Sequence, residues 1–190
     1  PMTPSDTAKA LSWIKQKWGK LPSYAFNSHW HLDATGGNKV LKDHQIQIFA
    51  SRQTNKLLRE RGRDSAKSFG KFLRKEGYSI ADEVSSIIPQ EADIAIDIKD
   101  TVTLTLGGEP VRLVYPGPAH SQDTIGIFFP HKRLLFGGCA VRSDRKLGNL
   151  SDSNILSWPN AMKVFQRLKP EIVVPGHGKR FCLLYTSDAA

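Results

Sequence analysis

Residue types that bind metal ions occur in this chain directly after β-like apolar segments. Four short apolar runs are each followed by a polar or glycine-rich turn, and each turn carries histidine, aspartate or cysteine. This feature constrains the fold most, because the ligands of a metal ion have to meet at one place. The candidate ligands are His29, His31, Asp33, His120, Cys139 and His177.

The first turn places His29, His31 and Asp33 at alternate positions after the run of residues 24–26. In extended backbone, alternate side chains point to the same face, so these three can converge. Imidazole nitrogen and carboxylate oxygen are donors that zinc accepts. The alternative is a polar loop with unrelated histidines, but the triplet favours the metal site.

The other three donors are single residues. His120 follows a Pro-Gly-Pro-Ala turn, Cys139 follows a Gly-Gly pair, and His177 lies within Pro-Gly-His-Gly. Each is weak evidence alone, since a lone cysteine usually packs as a small core residue. Together the six donors match the number that two zinc ions need when solvent fills the remaining positions. His44 and His131 lie among polar residues and are predicted to be solvent-exposed.

Hydrophobic periodicity predicts a mixed α/β fold. Ser5 or Asp6 is expected to cap a first helix that Gly19 ends, and residues 45–50 alternate as in a half-buried strand. Further helices are expected over residues 51–61, 65–76 and 158–168, two hairpins over 101–115 and 125–136, and a strand over 172–174. No repeat or linker indicates a domain boundary.

Composition excludes several classes of protein. The chain of 190 residues has no apolar run of membrane-spanning length, and its two cysteines rule out a disulfide scaffold. The net charge of +9 is compatible with a nucleic-acid-binding module. The basic residues are spread along helical faces, which favours a solvated surface over a nucleic-acid site.

As a set, the motifs resemble those of the metallo-β-lactamases, in particular the broad-spectrum dizinc subclass of class B. The resemblance covers residues from about 8 to 178. It includes His-x-His-x-Asp, Gly-Pro-x-His-Ser, Gly-Gly-Cys, Gly-Asn-Leu-x-Asp and Pro-Gly-His-Gly. Within the subclass, Thr35-Gly36-Gly37-Asn38 and the long helical stretch of residues 65–88 are similar to the São Paulo type.

This resemblance implies an αββα sandwich that binds two Zn²⁺ ions. The implied reaction is hydrolysis of the β-lactam amide by a zinc-bound hydroxide, and this reaction would confer β-lactam resistance. Asp33 would both bind metal and orient the hydroxide. The implied partner is a small-molecule β-lactam, and neither nucleic acid nor a membrane is expected as a partner. The resemblance also implies a monomer that is located in the periplasm. His29, His31 and His120 would hold the first zinc, and Asp33, Cys139 and His177 the second.

Two further residues have roles implied by the resemblance. Arg142 stands where the family usually has a lysine that binds the substrate carboxylate, and arginine can form a bidentate pair there. Asn149 matches a position that can donate to the substrate carbonyl. The alternatives are a solvated arginine and a turn-forming asparagine. Thr124 and Ser151 depart from the usual asparagine and glycine of the family.

Other hydrolases of the superfamily, such as glyoxalase II-like thioesterases, form the main enzymatic alternative. Most of them have His-x-His-x-Asp-His, whereas Ala34 follows Asp33 here. Cys139 supplies a thiolate in place of the missing histidine, which favours the lactamase branch.

Both ends of the chain differ from the family pattern. The N-terminal strands and the C-terminal helix of the sandwich are expected to be missing, so residues 1–181 would be a partial metallo-β-lactamase domain. Residues 182–190 resemble a translated sequencing-library adapter, and Cys182 is therefore not expected to be a ligand. Weak or no activity is expected from the 190 residues, and activity from the completed gene.

Overall fold

The computed structural model describes residues 1–144 and 148–178, together with the backbone of Cys182–Leu183. The chain forms two compact units that divide between Asp97 and Ile98. The sequence shows no linker at this division. Of the predicted adapter-derived tail, residues 184–190 lie outside the described residues.

The first unit is built on a small parallel sheet. Its strands lie in the order β1-β2-β3, with Phe26 opposite Phe49 and Ser51 opposite Ile96. Parallel pairing explains the helices that connect the strands, because each connection has to return to the same end of the sheet. The elements in chain order are α1 (Pro4–Trp18), β1 (Tyr24–Phe26), α2 (Leu32–Thr35), α3 (Asn38–Asp43), β2 (Gln47–Ser51), α4 (Arg52–Lys75), α5 (Ala81–Ser86) and β3 (Ile94–Ile96).

The first helix begins earlier than the sequence predicted. Thr3 is the N-cap, and its side chain accepts a hydrogen bond from the backbone N–H of Asp6. The prediction of Ser5 or Asp6 as the cap is wrong, because Pro4 has the fixed φ that suits a first helical residue. Gly19 ends the helix as predicted, with a φ of 72°.

Two predictions about β2 and α4 are also wrong. Four consecutive residues of β2 are buried, instead of alternate ones, because β2 is the central strand of a parallel sheet. The helices expected over residues 51–61 and 65–76 form one helix of 24 residues. Gly62 does not break it, because the glycine packs against Leu58 and Pro89 with no room for a side chain.

The second unit is built on a mainly antiparallel sheet. Its described strands lie in the order β4-β5-β6-β7-β8-β9, and only β7 and β8 pair in parallel. Both predicted hairpins and the predicted helix and strand near the end of the chain are confirmed. The elements are β4 (Thr101–Leu106), β5 (Glu109–Val114), β6 (Gly126–Phe129), β7 (Leu134–Phe136), α6 (Trp158–Arg167), β8 (Ile172–Val174) and β9 (Cys182–Leu183).

The core of the second unit lies between the sheet and α6. Trp158 and Phe165 on α6 pack with Val114, Phe128 and Leu135 on three neighbouring strands. Burial of each such side chain contributes about 1.5–3 kcal/mol. This packing fixes the strand ends that carry the second group of candidate ligands. Among the helices of the described residues, none is long and apolar enough to cross a membrane.

Candidate metal centre

In the first unit, the candidate ligands lie between β1 and α2. His29 is buried, with an exposed fraction of 1%, and follows β1 after two residues. His31 is the N-cap of α2, and Asp33 lies in the first turn of that helix. The backbone is therefore not extended through Asp33, and the predicted alternation along a strand is not what aligns the three residues.

A helical turn brings Asp33 to His29. The two residues are four positions apart, and Asp33 Oδ1 lies 3.5 Å from His29 Nε2. The rings of His29 and His31 meet edge to face, with centroids 4.7 Å apart. Ring nitrogens of these two histidines lie within 4.8 Å of each other. The three predicted donors of this unit are thus close together.

A neighbouring serine contacts the second ring nitrogen of His29. Ser28 Oγ lies 3.1 Å from Nδ1 of His29. When Nδ1 donates to this hydroxyl, Nε2 keeps its lone pair and can bind a metal ion. Histidine ligands usually have such a hydrogen bond on their second nitrogen.

A pair of buried asparagines holds this segment in place. The side chains of Asn27 and Asn38 donate to each other at 3.0 and 2.9 Å. Asn27 also donates to the carbonyl oxygen of Ala34 at 2.7 Å, and Asn38 to that of Gln90 at 2.8 Å. The pair therefore ties both ends of the ligand-bearing segment together. The sequence alone did not indicate this role, although Asn38 belongs to the Thr-Gly-Gly-Asn motif.

The two glycines of that motif allow α1 and the residues before it to approach closely. A Cβ on Gly36 would lie 1.9 Å from the carbonyl oxygen of Met2, and one on Gly37 would lie 1.9 Å from Thr7 Oγ1. Both clashes are far inside van der Waals contact. The glycines are therefore required by packing behind the ligand-bearing segment.

In the second unit, His120 lies in the loop after β5. It is buried, and its ring meets that of Trp158 with centroids 5.8 Å apart. The following Ser121 donates to Asp123 at 2.7 Å and lies 2.9 Å from the hydroxyl of Thr124. Thr124, which departs from the family pattern, also accepts the backbone N–H of Ser121 at 3.1 Å. It thereby closes the loop that carries His120.

Burial also affects the tyrosine at the start of this loop. Tyr115 donates to the carbonyl oxygen of Gln122 at 3.0 Å, which joins the two sides of the loop. Burial raises the pKa of this phenol, and the carboxylate of Asp123 raises it further. The tyrosine is therefore a neutral donor at physiological pH.

Cys139 and His177 follow the parallel neighbours β7 and β8. Cys139 Sγ lies 3.1 Å from His177 Nε2. Their turns touch because Gly176 has no side chain, and a Cβ there would lie 2.5 Å from the carbonyl group of Gly138. The backbone N–H of Gly176 donates to Gly138 at 2.9 Å, which fixes this contact.

The donors of each unit fit zinc. Two donors on one tetrahedral zinc lie about 3.5 Å apart, from bond lengths of about 2.0–2.3 Å. The distance of 3.1 Å between Cys139 Sγ and His177 Nε2, two donors predicted for the same ion, is close to this separation. Thiolate, imidazole and carboxylate are also the donor types that zinc accepts.

The two candidate substrate-binding residues already make polar contacts. Arg142 donates from Nε and an Nη atom to both carboxylate oxygens of Asp144, each at 2.8 Å. Asn149 is exposed, and its Oδ1 accepts the backbone N–H of Ser151 at 3.0 Å. The second contact is that of a turn-forming asparagine, the alternative weighed from the sequence.

The two remaining histidines are exposed, as predicted. His44 is the C-cap of α3. His131 lies in the turn between β6 and β7, and its Nδ1 is 2.8 Å from a carboxylate oxygen of Glu109.

Comparison with known proteins gives consistent matches. Residues 5–177 match the family model described as the metallo-beta-lactamase superfamily. A metallo-beta-lactamase type 2 from Pseudomonas aeruginosa is 30% identical over 182 residues, which are 95% of this chain and 61% of that protein. The chain thus spans less than two thirds of the length of this relative.

Solved structures give similar results. A metallo-beta-lactamase from Pontibacter korlensis has a TM-score of 0.70 and 26% identity, covering 91% of this chain and 69% of that one. A metallo beta lactamase from Hirschia baltica has a TM-score of 0.72 and 26% identity, covering 94% and 71%.

Proposed function

Because this chain belongs to the metallo-beta-lactamase superfamily, we propose that it is a zinc-dependent hydrolase that opens the amide of a β-lactam ring. The matches confirm the predicted family and α/β fold class. The São Paulo-type likeness is not singled out by them and stays a prediction. The observation that carries the proposal is the approach of Cys139 to His177. Most other hydrolases of the superfamily have a histidine where Ala34 stands, and here the thiolate of Cys139 would take the place of that histidine as a metal ligand.

The proposed ligands of one zinc ion are His29, His31 and His120. Those of the other are Asp33, Cys139 and His177. That the donors of the two units combine is part of the proposal, and its support is the family and the donor types. When bound, zinc would supply a Lewis acid that polarises the substrate carbonyl and lowers the pKa of water toward neutrality.

The side chains of the chain have separate roles in this proposal. Asp33 accepts a hydrogen bond from the attacking water and so orients it. With its Nδ1 donating to the hydroxyl of Ser28, His29 would bind the metal ion through Nε2. Cys139 brings a negative charge as thiolate, which balances part of the charge of the metal ions. None of these roles requires a covalent bond between enzyme and substrate.

Arg142 and Asn149 are the proposed substrate-binding residues. A substrate carboxylate would replace Asp144 on the guanidinium of Arg142, since the two anions present the same pair of oxygen atoms. The Oδ1 of Asn149 is held by Ser151, so Nδ2 is the group that can donate to the substrate carbonyl. The periplasmic location, the monomeric state and a role in β-lactam resistance follow from the family alone and stay predictions.

The hydrolysis of a chromogenic cephalosporin tests the proposal. The 190-residue chain is assayed with zinc, after removal of metal by a chelator, and as the Cys139→Ser and His120→Ala variants. The matched control is His44→Ala, which removes an exposed histidine away from the proposed ligands. A slow rate is expected that requires zinc and both ligand residues and is unchanged in the control.

The same samples are assayed with a thioester substrate. Thioester hydrolysis without cephalosporin hydrolysis would contradict the proposal and favour the thioesterase alternative. A cephalosporin rate that is unchanged after removal of the metal would contradict it as well.

A further inference from the structure

Four side chains of the first unit form a continuous column, which we call the Arg61 column. The guanidinium carbon of Arg61 lies 4.5 Å from the centre of the Trp30 ring. The ring centroids of Trp30 and His31 are 4.7 Å apart, with 63° between the ring planes, and those of His31 and His29 are also 4.7 Å apart. The column thus runs from the surface of α4 to two proposed metal ligands.

The orientation of Trp30 is set by packing. Its side chain is buried, with an exposed fraction of 4%. In the part of the chain that the structure describes, its Nε1 has no hydrogen-bond acceptor. Contacts with the rings and the guanidinium therefore determine how the indole lies, because no hydrogen bond does so.

Arg61 lies on α4, a helix that hydrogen bonds fix to a neighbouring segment. The helix α4 is tied to the segment before β3 by Asn55, which exchanges hydrogen bonds with the backbone of Ala92 at 3.0 and 2.9 Å. Arg61 itself is exposed, yet its guanidinium covers the buried indole. A planar guanidinium over an indole face is attracted by the ring electrons and by stacking.

We propose that Trp30 and Arg61 are positioning residues for the metal centre, with Arg61 acting through Trp30 on His31. The inference rests on the proposed function, because it assigns both residues to the same site. The backbone of residues 30 and 31 is held by Thr35, whose side-chain hydroxyl is shared between the carbonyl oxygens of Trp30 and His31 at 3.2 and 2.9 Å. The indole packs edge to face against the His31 ring and so restricts its rotation.

The size of the effect follows from the contacts. Residues that orient a metal ligand change metal affinity by about 10–100-fold when removed. Trp30→Ala is therefore expected to weaken zinc binding roughly tenfold. An exposed cation–π contact is worth about 0.5–1 kcal/mol, so Arg61→Met is expected to weaken it about two- to fivefold.

The test is a thermodynamic cycle on metal binding. Zinc affinity is measured by competition with a chromophoric chelator for the unmodified chain, Trp30→Ala, Arg61→Met and the double variant. The matched control is Lys67→Ala, which removes a positive charge from another face of the same helix. Trp30→Phe keeps an aromatic ring and is expected to restore most of the affinity. Circular dichroism confirms that each variant is folded.

The cycle separates positioning from a simple charge effect. If Arg61 acts through Trp30, then Arg61→Met has no further effect in the Trp30→Ala background. The visible spectrum of bound Co²⁺ is also expected to shift in Trp30→Ala, since it reports the geometry of the ligands.

Equal effects of Arg61→Met in both backgrounds would overturn the inference, as would unchanged affinity and cobalt spectrum in Trp30→Ala. Failure of the unmodified chain to bind zinc would overturn the proposed function and the inference together. Zinc binding by the unmodified chain with no effect of the variants would overturn the inference alone.

Discussion

Replacement of Asn38 by alanine is expected to destabilise the chain and its metal site together. Asn38 has an exposed fraction of 1%, and its amide both donates to and accepts from Asn27. In Asn38→Ala, the Oδ1 of Asn27 and the carbonyl oxygen of Gln90 lose their donor. The Nδ2 of Asn27 keeps its second acceptor, the carbonyl of Ala34.

The magnitude follows from these two acceptors. A buried polar atom left without a partner costs about 1–3 kcal/mol. The oxygen of Asn27 is fully buried and incurs this cost, whereas Gln90 is only half-buried, so water can reach its carbonyl oxygen. The free energy of unfolding is therefore expected to fall by about 2–3 kcal/mol.

Urea unfolding of the metal-free chain measures this change, and chelator competition measures the affinity for zinc. The affinity is expected to fall roughly tenfold, because Asn27 then holds only one end of the ligand-bearing segment. The control is Lys39→Ala, which breaks an exposed ion pair with Asp43 and should change stability by less than about 0.5 kcal/mol. A loss below about 0.5 kcal/mol in Asn38→Ala, or an unchanged zinc affinity, would refute the reasoning.

Two other changes test the packing and the electrostatics of the first unit. Gly36→Ala is expected to lower the free energy of unfolding by about 1–3 kcal/mol, because the new Cβ would clash with the carbonyl oxygen of Met2; an unchanged urea midpoint would contradict this, since it would show that the segment before α1 can move away. The hydrogen bond from Arg59 holds the pKa of Glu91 below its ordinary value, against an opposing effect of burial. A lowered carboxyl pKa contributes stability above the ordinary pKa that is lost as the pH falls through the folded-state value. Glu91→Gln should therefore be less stable than the unmodified metal-free chain at pH 7, and the difference should shrink as the pH falls below the ordinary carboxyl pKa of about 4.3 and through the lower folded-state pKa; a constant difference as the pH falls would contradict the assignment.

Much of the fold could be predicted because local rules determine it. The glycine pair between β4 and β5 predicts a hairpin, and Gly19 ends α1 with the left-handed backbone that glycine favours. The split of α4 was wrong for a different reason. Gly62 lies between the two predicted helices, but the helix continues through it, and the glycine packs against Pro89, which is distant in the chain.

The sequence predicted which residue types form the candidate site, but it predicted their geometry less well. The pattern of His29, His31 and Asp33 indicated convergence, but the structure achieves it with a helical turn after His31. The Asn27–Asn38 pair and the Arg61 column were missed, because each joins residues that are more than ten positions apart. Nothing in local sequence reveals such contacts.

The number of metal ions bound per chain tests the central claim most directly. The claim is that donors from both units form one centre for two zinc ions, with Cys139 as a ligand of only one of them. Zinc content is measured by mass spectrometry after dialysis, together with the thiolate-to-cobalt absorption of the Co²⁺ form. The account predicts two ions per unmodified chain, and about one in Cys139→Ser with loss of the thiolate absorption. Equal zinc content in the unmodified chain and in Cys139→Ser, or no thiolate absorption with bound cobalt, would contradict it.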